Sequence, residues 1–243
     1  RQWKQQKWNG QPLTVRNGTL VFTESVAVHG GRIDVEPGAT LRFARGSYLG
    51  TGLGDAGTRI FKIAPGARLE MDGVRWNMDH TRVVLPKGAD WLADFSSFSL
   101  AGAMKDNRWE IGGKAMLVRG INVKEGDWGN RLSVHLKPGG ELLLGGPVST
   151  NTAKRCSLDV ILEGGVVSLF WSAAIDPGLV RVAPGASVEI RVSRGVEFDE
   201  SSISVPADAK LKVVRNAPLP AGLPARYTFD VKYDRTGRSY WIS

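Results

Sequence analysis

Apolar and polar residues alternate along most of the chain, and a proline-glycine turn interrupts the alternation at intervals. The turn phrase appears as VEPGATLRF at 35–43, IAPGARLEM at 63–71, LKPGGELLL at 136–144 and VAPGASVEI at 182–190. A strand places every second side chain on one face, so each phrase predicts two short strands joined at a corner. Proline presets one backbone angle, glycine supplies the left-handed one, and the small residue that follows is predicted to point inward.

The corner phrase returns about every two dozen residues. Clear copies are anchored at positions 38, 66, 88, 139, 185 and 208, and weaker ones lie around Gly18, Gly112–Gly113 and Gly164–Gly165. One unit cannot bury its own inner face, whereas stacked units can. The sequence lacks the asparagine ladder of a leucine-rich repeat, and a β-sandwich would not share a fixed corner phrase. The pattern therefore predicts an all-β fold, a right-handed parallel β-helix (solenoid) of about nine coils.

The chain divides into three predicted parts. Residues 1–14 are predicted to form an N-terminal cap, because an open solenoid end exposes unpaired strand edges. Residues 15–215 are predicted to form the β-helix domain. Residues 216–243 are predicted to form a proline-rich connector and a C-terminal β-hairpin cap, with a turn at Asp234–Gly237.

One sequence phrase resembles a known family. Hydrophobic-x-Pro-Gly-Ala-x-Leu, spaced by about one coil over residues 15–214, resembles the β-helical passenger regions of bacterial autotransporters and related pectin-lyase-like surface proteins. The resemblance implies an extracellular or cell-surface setting and carries over no catalytic residue. The chain begins at Arg1 without an apolar leader, so we expect a protein that is processed from a longer precursor.

The charge of the chain favours acidic partners. The formal net charge is +8 and the pI is near 9.8, which suits sulfated or sialylated glycans, anionic lipid headgroups or nucleic acid, and equally suits a solubilising surface. No specific nucleic-acid motif accompanies the basic residues. Basic residues in outward slots predict stripes along the coils, which acidic residues interrupt. The basic set is Arg42, Arg68, Arg181, Arg191, Lys210 and Lys212, and the acidic set is Glu70, Glu141 and Glu189.

Few residues suit metal or redox chemistry. Cys156 is the only cysteine and the histidines number three, so the sequence predicts no disulfide framework and no cysteine-based metal site. We expect no cofactor and no metal. No run of about 20 apolar residues occurs, so no membrane span is expected in this chain.

A first group of candidate ligand-binding residues lies in RWNMDHTR at 75–82. This segment contains cationic, aromatic and acidic groups close together in sequence, on Arg75, Trp76, Asp79 and His80. A polysaccharide lyase needs a base and cations that neutralise a uronate, and a hydrolase needs two carboxylates. The motifs of galacturonan hydrolases are absent, so no catalytic residue is assigned.

A second group surrounds two tryptophans, in KDNRWEIGG at 105–113 and KEGDWGNR at 124–131. Aromatic rings pack against the apolar faces of sugars, and charged groups hydrogen-bond the hydroxyls. We therefore predict a glycan-binding platform that consists of Arg108, Trp109, Trp128 and Arg131. In the alternative, the tryptophans fold back over the corners as packing residues.

Together these features favour a non-catalytic, secreted or cell-surface β-helix that acts as an adhesin or binding rod for acidic or sulfated carbohydrate. The first alternative is a polysaccharide lyase or glycoside hydrolase of the pectin-lyase-like group. The second is a structural stalk segment of a larger autotransporter-like surface protein.

Overall fold

A computed structural model describes residues 2–3, 6–8, 12–28, 31–51, 58–100, 106–123, 125–126, 130–150, 156–223, 231–233 and 239–241. These residues form strands and turns, with a single 3-10 turn at Glu200–Ser202. The predicted all-β class is confirmed.

The strands are short and follow one another closely along the chain. The first fourteen are β1 (Gln2–Trp3), β2 (Gln6–Trp8), β3 (Leu13–Val15), β4 (Thr19–Phe22), β5 (Val26–Val28), β6 (Gly31–Val35), β7 (Thr40–Phe43), β8 (Tyr48–Thr51), β9 (Arg59–Ile63), β10 (Arg68–Met78), β11 (Thr81–Leu85), β12 (Asp90–Leu100), β13 (Asp106–Ile111) and β14 (Lys114–Leu117). The others are β15 (Ile121–Val123), β16 (Glu125–Gly126), β17 (Arg131–Leu136), β18 (Glu141–Leu144), β19 (Val148–Thr150), β20 (Ser157–Leu162), β21 (Gly165–Leu169), β22 (Val180–Val182), β23 (Ser187–Ser193), β24 (Ile203–Ser204), β25 (Lys210–Ala217), β26 (Val231–Tyr233) and β27 (Ser239–Trp241).

The strands stack as a parallel β-solenoid, which confirms the predicted fold. Sheet A has fourteen strands and follows the order β1-β4-β7-β10-β12-β14-β18-β21-β23-β25, with β2, β5, β8 and β16 beside this path. Sheet B has nine strands in the order β24-β22-β20-β17-β13-β11-β9-β6-β3. Strand β10 turns a corner of the coil, because its first part pairs with β7 and its second part with β8.

The solenoid has about seven turns, slightly fewer than the nine coils that the sequence predicts. Within the described residues, the outermost strands of sheet B, β3 and β24, each pair on one side only.

The predicted proline-glycine corners have the expected backbone geometry. Gly38, Gly66 and Gly88 have φ angles of 77°, 75° and 81°. Successive corners bond to one another, since Gly38 N–H donates to the Gly66 carbonyl at 3.0 Å and Gly66 N–H donates to the Gly88 carbonyl at 2.6 Å. The alanines that follow point inward as predicted and are at most 2% exposed: Ala39, Ala67 and Ala89.

A cluster of aromatic rings fills the middle of the core. The ring centroids of Trp76, Trp91 and Trp109 lie 4.9–6.1 Å apart. Phe95 and Phe98 pack against the same rings. Stacked and edge-to-face aromatic pairs stabilise a core beyond their buried area, so this cluster organises the central coils.

The two ends of the chain differ from the repeated coils. At the start, β1 and β2 pair in parallel with β4 and β5. At the end, β26 and β27 pair antiparallel, so the predicted C-terminal hairpin is present. The turn predicted at 234–237 lies outside the described residues, and the boundaries at 14/15 and 215/216 stay predictions.

Candidate functional site

Two of the three tryptophans predicted to bind ligand, Trp76 and Trp109, are core residues. Trp76 is 1% exposed and Trp109 is 0% exposed. Trp109 shares its inward column with Val83 and Val134 of the neighbouring strands. This placement corrects the expectation that these two rings are available to a glycan. Trp128 lies outside the described residues.

The residues of the 75–82 group are distributed over different surfaces. Arg75 is exposed on the outer side of β10. The Asp79 carboxylate is buried and lies 3.9 Å from the Arg59 guanidinium, whose Nη1 also donates to the Asp79 carbonyl at 2.6 Å. His80 is half-buried, with Nε2 3.1 Å from the Thr58 hydroxyl. The structure therefore does not bring this group together as one surface site.

Arg108 and Arg131 lie on the outward side of sheet B, which we call the arginine face. In a strand exposed positions alternate with buried ones, so basic residues directly beside a core residue in sequence point to this outward side. On the described strands of sheet B, six basic and four acidic side chains face outward, giving a net charge of +2 with His135 neutral. The basic residues are Arg32, Lys62, Arg82, Arg108, Arg131 and Arg181, and the acidic ones are Asp34, Asp106, Glu110 and Asp159.

Glu110 holds two arginines from adjacent strands. Arg82 and Arg108 are register partners on β11 and β13. An atom of each guanidinium lies 2.7–2.8 Å from Glu110 Oε1. The two arginine side chains are 46–47% exposed, whereas the Glu110 side chain is 17% exposed. The carboxylate thus orients both cations while each keeps N–H donors directed to solvent.

Asp159 on β20 makes a similar arrangement two strands farther along sheet B. Arg131 Nη2 lies 3.1 Å from Asp159 Oδ2, and Arg181 Nε lies 3.2 Å from Asp159 Oδ1. These two arginine side chains are also about half exposed, at 52% and 46%. Each carboxylate neutralises one of two positive charges, so a surplus of positive charge remains on the surface.

Sequence reasoning identified only part of this face. It selected Arg108 and Arg131, and it placed Arg181 in an outward slot. It missed Arg82 as a register partner of Arg108, together with the bridging roles of Glu110 and Asp159. The i, i+2 alternation within each strand was the available signal, and the register between coils was the missing information.

A third carboxylate cluster lies at the edge of the face. His135 Nδ1 lies 2.7 Å from Glu163 Oε1, and Lys137 Nζ donates to Glu163 Oε2. Partial burial acts to raise the pKa of Glu163, but hydrogen bonds from Lys137 and His135 and their charges outweigh burial, so the pKa is lowered. The cluster thus favours an ionised Glu163 in the folded state.

Glu163→Gln is expected to lower the free energy of unfolding at neutral pH by up to about 1 kcal/mol, the range for exposed ion pairs. A lowered folded-state pKa stabilises the fold above the unfolded pKa and loses this effect as pH falls through the folded value. The difference in free energy of unfolding between wild type and variant should therefore become smaller as the pH falls below the ordinary carboxyl pKa. Urea unfolding at pH 7 and in acid measures it. Glu141→Gln, at the exposed first position of β18, is the control. A loss of stability in this control equal to that of Glu163→Gln contradicts the expectation, and so does a loss in Glu163→Gln that does not change with pH.

The described part of the chain contains no group of three or more His, Cys, Asp or Glu side chains placed to hold a metal ion. Among the same residues, no helix has the length and apolar composition to span a bilayer. The fold and the outer chemistry define a parallel β-solenoid with an arginine-rich lateral face. No family model, no curated protein and no solved structure matches the chain.

Proposed function

We propose that the protein is a non-catalytic binding rod whose arginine face binds acidic or sulfated linear carbohydrate. The observation that carries the proposal is the run of basic side chains on the strands of sheet B, from Arg32 on β6 to Arg181 on β22. Neighbouring strands are about 4.8 Å apart, and the cations follow the solenoid axis in three adjacent columns. Arg32, Arg82 and Arg108 share one column, Lys62 and Arg181 share a second, and Arg131 lies in the third. A linear polyanion laid along that axis meets a cation on most coils.

The paired arginines support this ligand class for a second reason. Guanidinium groups present parallel N–H donors that match carboxylate and sulfate oxygens, and they are more weakly hydrated than an ammonium group. Glu110 and Asp159 hold four of these groups in place before a ligand arrives. Preorganised side chains lose less conformational entropy on binding. A secreted or cell-surface location is part of the same proposal and rests on the family resemblance.

Titration of the full chain with heparin, polygalacturonate and neutral dextran tests the proposal. We expect the two polyanions to bind in a salt-dependent manner and neutral dextran not to bind. Arg108→Gln with Arg131→Gln should weaken polyanion binding about tenfold, which corresponds to about 1.4 kcal/mol. Both side chains are half exposed, so the fold should be unaffected.

The control removes two exposed cations from the other sheet. Arg191 and Lys212 lie on sheet A and both bind Glu189, at 2.7 Å and 2.8 Å. Arg191→Gln with Lys212→Gln should leave polyanion affinity within about twofold of wild type. Equal losses in both double variants would show a non-specific charge effect and reject the arginine face. Ultraviolet-absorbing products from polygalacturonate would instead establish the lyase alternative.

A further inference from the structure

An apolar patch interrupts the charged outer side of sheet A. Leu92, Met116 and Leu143 are register partners on β12, β14 and β18, in an outward column. Elsewhere the same column carries polar residues such as Arg42 and Glu70. Met116 and Leu143 are nevertheless only 4% and 3% exposed, so this patch is covered. It forms a cluster of its own, separate from the main core, together with Val118 and Phe170.

Residues 216–223, which we call the strap, lie against this patch. Asn216 has a left-handed φ of 56° at the point where the pairing of β23 with β25 shifts register. Ser193 Oγ donates to the Pro218 carbonyl at 3.4 Å, and Lys114 Nζ donates to the Ala221 carbonyl at 3.1 Å. Leu223 packs against the patch.

The strap therefore connects coils that are not neighbours. Its first residues belong to β25, and its far end meets Lys114 on β14. In sheet A, β18, β21 and β23 lie between these two strands. Pro218 and Pro220 preset an extended backbone, so little conformational entropy is lost when this segment lies flat across several strands.

A solenoid without such a link unfolds most easily from its ends, because each coil contacts only its neighbours. We propose that the strap is a latch for the C-terminal coils, with Leu223 seated on the apolar patch of the same chain. Fraying of β25 and β23 then requires Leu223 to leave Met116 and Leu143. This role concerns sheet A and is independent of the arginine face on sheet B.

Hydrogen exchange of the full chain with Leu223→Ser tests the latch. We expect amide exchange in β21, β23 and β25 to accelerate about tenfold or more, corresponding to about 1.4 kcal/mol of lost protection. Exchange in β4 and β7 should be unchanged. The variant should also bind a fluorescent apolar dye more strongly, because the patch becomes accessible.

Leu219→Ser is the matched control, because Leu219 is in the strap but is 56% exposed. The amides of this control should exchange at the wild-type rate. Both variants should bind heparin with wild-type affinity. Lys114→Met removes the bond to Ala221 and provides a second test, with a smaller acceleration in the same strands. Identical exchange in the Leu223 and Leu219 variants would overturn the latch. A wild-type dimer that dissociates on Leu223→Ser would also overturn it, since the strap would then seat on a second copy.

Discussion

Trp109→Ala is expected to lower the free energy of unfolding by about 3–5 kcal/mol, the range for removing a large aromatic from a core. Trp109 is fully buried, and its ring centroid lies 4.9 Å from that of Trp91 and 5.6 Å from that of Phe98. Alanine leaves a cavity that the surrounding rings cannot fill, because β-solenoid coils are held at fixed spacing by their hydrogen bonds. Chemical denaturation at neutral pH measures the loss.

Two further variants distinguish a core role from a surface role for Trp109. Trp109→Phe should lower the free energy of unfolding much less than Trp109→Ala does. Phenylalanine keeps an aromatic ring, and the change removes a buried indole N–H that has no hydrogen-bond partner in the described residues. Tyr48→Ala, at a site that is 40% exposed, should change stability by less than about 1 kcal/mol. A cost of less than 1 kcal/mol for Trp109→Ala would contradict the core assignment.

Asp79→Asn is expected to destabilise the protein by about 3–5 kcal/mol, because it removes the carboxylate charge that lies beside a buried guanidinium. The side chains of Arg59 and Asp79 are 1% and 5% exposed. Arg59 Nη1 also donates to the Asp79 backbone carbonyl at 2.6 Å, so the guanidinium stays in place when the carboxylate is neutralised. The measurement is urea unfolding with intrinsic fluorescence.

A double variant separates the ion pair from other effects at this position. Arg59→Met combined with Asp79→Asn removes both charges and should recover most of the stability that Asp79→Asn loses. Replacing buried ion pairs by uncharged groups is often neutral, whereas removing one partner is costly. If Asp79→Asn stays within 1 kcal/mol of wild type, the buried pair does not contribute as proposed.

The repeat architecture was predictable from local patterns. The alternation predicted which residues point inward, and the corner phrase predicted positive φ at Gly38, Gly66 and Gly88, where the structure has it. Both features depend on interactions between residues a few positions apart. The same alternation places Trp109 in phase with Ile111, inside the core, yet its charged neighbours suggested a surface residue. For this segment, the alternation of apolar and polar positions predicted the location of Trp109 better than the charge of its neighbours did.

The candidate site was only partly predictable because it depends on contacts between coils. Arg82 and Arg108 are 26 positions apart and meet as register partners. Arg131 is register partner to Asp106 rather than to Arg108. Loops of unequal length separate the strands, so intervals in sequence do not reveal which outward side chains stack. The strap illustrates the same limit, since its proline-rich sequence indicated a connector and gave no information about the strands it crosses.

By itself, the sequence determined the repeating strand-and-corner unit, the inward or outward phase of most side chains and the surplus of positive charge, because these follow from local backbone preferences and composition. Only the tertiary structure decided which arginines share a carboxylate, that Arg59 and Asp79 are buried together, and that Leu223 packs outside sheet A. Those contacts require the register of stacked coils, which is set by packing and hydrogen bonding between segments distant in the chain.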